Sequence, residues 1–99
     1  MKVNIQTLHF NADKNLEEFI HERMDKLISR HSNIVLADVT LRLDKAQTMD
    51  NKIAEIKLEV PGNNLFAKKQ SKSFEEAADS AVEALQRQLK KYKEKRTGK

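Results

Sequence analysis

Residues 52–70 read KIAEIKLEVPGNNLFAKKQ, and the architecture unfolds from this stretch. Ala54, Ile56, Leu58 and Val60 alternate with Glu55, Lys57 and Glu59. Side chains on a strand point to opposite faces in turn, so this period gives one apolar face and one wet face. Pro61-Gly62-Asn63-Asn64 is a turn signal, because proline fixes φ and glycine or asparagine tolerates positive φ. A short strand over 65–70 then folds back on the first, which makes a hairpin.

Toward the N-terminus, Val35, Ala37, Val39, Leu41 and Leu43 alternate with Asp38, Thr40, Arg42 and Asp44, predicting a strand over 34–45 and a polar loop over 45–51. Leu16, Phe19, Ile20, Met24, Leu27 and Ile28 draw one apolar stripe on a helix of about five turns. Asn11-Ala12-Asp13 can cap its start, and it should stop near His31-Ser32-Asn33. Residues 2–9 alternate again, with Val3, Ile5 and Thr7 opposite Lys2, Asn4 and Gln6. Toward the C-terminus, Ser73 and Glu76 have the spacing of a capping box. Phe74, Ala77, Ala78, Ala81, Val82, Leu85, Leu89 and Tyr92 follow as one helix face.

The order is β-α-β-β-β-α. The first helix is long enough to cross over, so strands one and two should be parallel and the rest antiparallel. The predicted class is α+β. It has two layers: a four-stranded sheet with both helices on one face and water on the other, like a double-stranded-RNA-binding domain. No repeat or linker divides the chain, so residues 1–99 should form a single domain. Apolar residues make up 38% and charged residues 34%, which suits a thin core under an ionic surface.

The same composition excludes much chemistry. There is no cysteine, hence no disulfide, thiol nucleophile or thiolate metal site. His9, His21 and His31 show no metal-ligand spacing. The only glycines are Gly62 and Gly98, which leaves no phosphate-cradling loop. Glu17, Glu18, Glu22 and Asp25 read as a solvated helix face, and general acid–base work needs a desolvated pocket. Neither catalysis, nor a metal or cofactor, nor a small-molecule substrate is expected. No apolar run resembles a signal peptide or a membrane span, so the expected setting is the cytoplasm.

Charge placement is more telling. Arg87, Lys90, Lys91, Lys93, Lys95, Arg96 and Lys99 stand against Glu94 alone, a net +6 for residues 87–99. With a total of +4, residues 1–86 carry −2. Cations near a helix C-terminus complement its macrodipole, which accounts for two or three of them but not for seven in thirteen residues. Leu89 and Tyr92 continue the apolar stripe, so a helix displays these cations, with Arg87, Lys91 and Lys95 as one ridge flanked by Lys90 and Lys93. The pattern points to a polyanion. Lys68 and Lys69 form a weaker cluster, and Arg23, Lys26 and Arg30 line the first helix, where pairing with Glu22 competes for them. Phe66 is the lone strand aromatic, too few for a sheet that stacks single-stranded bases. The cations suit phosphates and folded RNA shape instead.

These residues resemble the ribosome hibernation-promoting factor and protein Y family, also called sigma-54 modulation proteins. The likeness runs through Val3-Asn4-Ile5, Leu16-Glu17-Glu18-Phe19-Ile20 with Lys26-Leu27, the second and third strands, and the ending. The ending is most specific: Phe74, Ala77, Asp79 and Ala81 lead into Leu85, Arg87, Gln88, Leu89, Lys91, Lys93 and Lys95. The resemblance implies a factor bound between head and body of the small ribosomal subunit. There it would contact 16S rRNA and block translation in starvation or stationary phase. It places RNA contacts on Arg87, Lys91, Lys93, Lys95 and Lys26. Gln86 and Phe66 depart from the family pattern. The sequence ends at Lys99, short of the C-terminal domain of longer relatives, so it looks like the short form, monomeric when free and needing another factor to pair ribosomes. A general structured-RNA binder and a protein-interaction module are the competing readings.

Overall fold

The structure, a computed structural model, describes residues 3–8, 13–44 and 50–97, with side chains described as far as Tyr92. Its elements are β1 (Val3–Leu8), α1 (Lys14–Arg30), β2 (Leu36–Leu43), β3 (Lys52–Val60), β4 (Asn63–Ser71) and α2 (Phe74–Thr97). The predicted order and α+β class are as observed. The strands lie side by side in chain order. β1 pairs with β2 in parallel, and β3 is antiparallel to both β2 and β4.

Local chemistry sets the ends of these elements. The Leu16 N–H donates to Asp13 Oδ1 at 2.8 Å, so Asp13 caps α1. Asp13→Ala is expected to cost about 1 kcal/mol. In a domain of this size that lowers Tm by about 4–8 °C, readable in a thermal melt. The Glu76 N–H donates to Ser73 Oγ at 3.1 Å, the forward half of the expected capping box. The hairpin is tighter than its sequence suggested. Val60 already pairs with Asn63, so Asn63 and Asn64 belong to β4 and only Pro61 and Gly62 turn. Gly62 has φ +80°, as a glycine third in a type II turn requires. The loop expected over 45–51 lies mostly outside the described residues.

Ala37, Val39 and Leu41 of β2, Ala54, Ile56, Leu58 and Val60 of β3, and Leu65 and Ala67 of β4 meet one apolar stripe from each helix. Leu16, Ile20, Met24 and Leu27 come from α1; Phe74, Ala77, Ala78, Ala81, Val82, Leu85 and Leu89 come from α2. Both helices therefore cover one sheet face. Ile53 is buried on the other face, in register with Arg42 and Gln70 and outside this cluster. The alternation had marked that face as wholly polar.

The topology also aligns the helices. α1 must return from the end of β1 to the start of the parallel β2. α2 returns along β4, which runs in the same sense as β2. The two helices therefore run side by side in the same direction, and α2, at 24 residues against 17, is the longer.

Candidate nucleic-acid interface

The shared direction sorts charge along the helix layer. After Lys14 at its first position, α1 carries Glu17, Glu18 and Glu22, then Asp25, with Lys26 and Arg30 toward its end. Glu75, Glu76, Asp79 and Glu83 precede Arg87, Lys90 and Lys91 on α2. All of these side chains are exposed. Lys26 and Arg30 of α1 and Arg87, Lys90 and Lys91 of α2 thus lie toward the same end of the helix layer, beyond most of its acids.

Arg23 and Asp79 mark which flank of α2 faces α1. Arg23 Nε donates to Asp79 Oδ1 at 2.8 Å, and its guanidinium lies 4.4 Å from the Phe19 ring centre. A looser contact reaches Glu22 at 3.9 Å. Arg23, a candidate RNA contact from sequence, forms a clasp between the helices. Both partners are partly exposed, so a double-mutant cycle of Arg23→Gln with Asp79→Asn is expected to return only about 0.2–1 kcal/mol in urea unfolding.

Residues three or four apart share a helix face, which assigns the remaining cations. Asp79 is followed on its own flank by Glu83, Gln86 and Lys90, so Lys90 faces the seam beside α1. On α1, Lys26 and Arg30 follow Arg23 on the same flank. Lys26, Arg30 and Lys90 therefore line one seam. The opposite flank of α2 is fixed by Gln88, whose Nε2 donates to the Phe66 carbonyl of β4 at 2.9 Å. Lys91 lies on that flank, above the sheet edge, and Arg87 precedes it by one turn on the solvent side. None of Lys26, Arg30, Arg87, Lys90 and Lys91 makes an ion pair with another described residue. The backbone carries α2 through Lys93 and Lys95 to Thr97, whose side chains lie outside the described residues.

Lys68 and Lys69 are not brought together. Lys68 pairs with Glu55 on the open face, whereas Lys69 pairs with Ala54 and points to the helix side. Period two along the strand already carried that separation. The open face holds Asp38, Glu55 and Glu59 beside Arg42, Lys57 and Lys68. Arg42 binds Glu55 at 3.0 Å, and Asn4 donates to Asp38 at 3.0 Å. These six charges balance, three acids against three bases, so the one-signed cluster of cations is the one toward the end of the helix layer.

Sequence reasoning missed two residues that hold α2 in place. Gln88 is one. The other is Tyr92, whose hydroxyl donates to the Pro61 carbonyl at 2.7 Å. Their partners are backbone atoms more than twenty residues away, which no local pattern reveals. Among the described residues, no group of three metal-ligating side chains occurs and no helix is long and apolar enough to cross a membrane.

The model of the sigma 54 modulation protein / S30EA ribosomal protein family matches residues 3–97. The chain belongs to that family. A ribosome hibernation promoting factor from Pseudomonas putida is 30% identical over 95 residues, covering 96% of this chain and 89% of the relative. Two solved structures share the fold at 19% identity. A ribosomal subunit interface protein from Coxiella burnetii superposes with a TM-score of 0.83 over 94% of this chain and 98% of its own. The N-terminal domain of Protein Y from Thermus thermophilus does so at 0.77 over 93% and 99%. In this family member, the family's α+β frame holds two parallel helices with their cations at one end.

Proposed function

We propose that the chain binds the small ribosomal subunit through 16S rRNA, in the channel used by messenger and transfer RNA, and silences translation by occupying it. The observation that carries this reading is the convergence of Lys26, Arg30, Arg87, Lys90 and Lys91 at one end of the helix layer, unpaired with any described acid. The names of the relatives, a ribosome hibernation promoting factor and a ribosomal subunit interface protein, support the same partner.

The physics is that of a steric plug. Each cation placed on a phosphate releases condensed counterions, and this supplies affinity without reading sequence. Two rows of cations on adjacent helices recognise a folded backbone better than a single extended strand, because their spacing is fixed by the clasp and by the shared core. The action requires no bond to be made or broken. Inhibition follows from occupancy and reverses on dissociation.

The test is co-sedimentation of purified protein with small subunits over a salt series, beside a plain RNA duplex and a cell-free translation assay. Binding to small subunits should fall linearly in log–log form with salt, by about 0.9 per neutralised phosphate on a duplex-like backbone. Translation should stop in proportion to occupancy. Equal affinity for the plain duplex would favour a general structured-RNA binder. Retention of partners from nuclease-treated extract, with no affinity for either RNA, would favour a protein-interaction module.

A further inference from the structure

Between the β3–β4 turn and the last described turn of α2 lies a groove of about 200 Å3, lined by Asn63, Leu65, Gln88, Lys91 and Tyr92. Pockets for drug-sized ligands run to roughly 300–1,000 Å3, so this groove suits something smaller. Leu65 is buried and Tyr92 half-buried, which gives the groove an apolar side chain and an aromatic ring. Lys91, at its rim, is exposed.

Hydrogen bonds to the hairpin hold its walls. Gln88 Nε2 donates to the Phe66 carbonyl and the Tyr92 hydroxyl to the Pro61 carbonyl. Asn63 Oδ1 accepts from the Asn64 N–H at 2.9 Å. A carboxamide has two N–H donors and an oxygen that accepts twice, so both amides keep capacity to spare. The groove thus combines an aromatic ring, an aliphatic side chain, amide donors and acceptors, and a cation at the rim. Those are the complements of a planar heterocycle with polar edges and an attached phosphate. A buried apolar side chain from a protein would use neither the amides nor the cation.

We propose that this groove takes one unpaired nucleobase of the bound RNA, packed against Tyr92 and Leu65, with its edge on the amides of Asn63 and Gln88 and its phosphate on Lys91. The proposal rests on the RNA-binding reading and adds a preference to it. Phosphate contacts alone are blind to whether a base is paired, whereas packing of a base on an aromatic ring requires it to leave the helix.

The test uses the full chain and two RNA hairpins that differ only by one bulged nucleotide, with affinities measured by fluorescence anisotropy at fixed salt. The bulged hairpin should bind about tenfold more tightly, within the range that stacking of one base on an aromatic side chain supplies. Tyr92→Leu and Asn63→Leu should each reduce that ratio to about twofold or less. Tyr92→Phe, which loses the bond to Pro61 but keeps the ring, should retain it. Lys91→Gln should weaken both hairpins alike. If Tyr92→Leu fails to melt cooperatively, Asn63→Leu, on an exposed hairpin residue, carries the test. Salt-dependent binding with equal affinity for the two hairpins overturns the groove and leaves the RNA reading standing. No affinity for either hairpin or for small subunits overturns both. A preference that survives Asn63→Leu and Tyr92→Leu also overturns the groove. So does loss of ribosome binding by those variants with the hairpin ratio intact, which would assign the groove to a protein side chain.

Discussion

Reversing Arg87, Lys90 and Lys91 together to glutamate is expected to lower affinity for small subunits by at least several hundred-fold at 0.1 M salt while the fold survives. Counterion release gives about 0.9 decade per phosphate contact between 1 M and 0.1 M salt, so three contacts amount to about 500-fold before any repulsion is added. The salt slope should also flatten by roughly three. The fold should survive because all three side chains are exposed and none pairs with another described residue. Surface changes of this kind usually stay within about 0.5 kcal/mol each. Gradient co-sedimentation reports the loss, and a thermal melt checks the fold. A variant that melts like the parent and still travels with the particle at 0.1 M salt would remove α2 from the interface.

Leu85→Ala is expected to have the largest effect on stability. Leu85 is 0% exposed and sits where α2 packs on β3 and β4. Truncating a buried leucine costs about 2–5 kcal/mol, through lost transfer energy and the cavity left behind. A domain of this size has about 5–15 kcal/mol in total. Tm should therefore fall by about 8–40 °C, at about 4–8 °C per kcal/mol. The position also ties stability to the proposed interface, since the cations begin two residues later. Binding should be nearly normal at 20 °C and weaken sharply as the variant's transition is approached, whereas the charge-reversed protein should be defective at every temperature. Comparing the two variants across a temperature series separates a helix that has come loose from a helix that has lost its charges.

Much of this architecture is written in local chemistry. Strand alternation at Ala54, Ile56, Leu58 and Val60 and the caps at Asp13 and Ser73 each act within a few residues, so the elements were legible. The run from Arg87 to Lys95 was legible for the same reason, because an apolar stripe and a charge run can be read on a single helix. What was hidden depends on contacts across the fold. Arg23 looked like a surface cation until α2 placed Asp79 beside it. Ile53 shares its face with Glu55, Lys57 and Glu59, yet it is buried there. The division of the cations into a seam set with Lys90 and an edge set with Lys91 required both neighbours of α2 to be known. The roles of Gln88 and Tyr92 rest on carbonyls of Phe66 and Pro61, and backbone acceptors leave no trace in side-chain pattern.

The parallel course of α1 and α2 has a consequence for how the protein would meet its target. The Cα frame is 47 Å in its longest dimension, several Debye lengths at physiological ionic strength. Opposite potentials at the two extremities of the helix layer are therefore not averaged away from a distance. A field from a large anionic body would exert a torque and swing the cationic extremity forward before contact. Encounters would then be productive more often than random tumbling allows. The capture rate, and not only the lifetime of the complex, should respond to added salt.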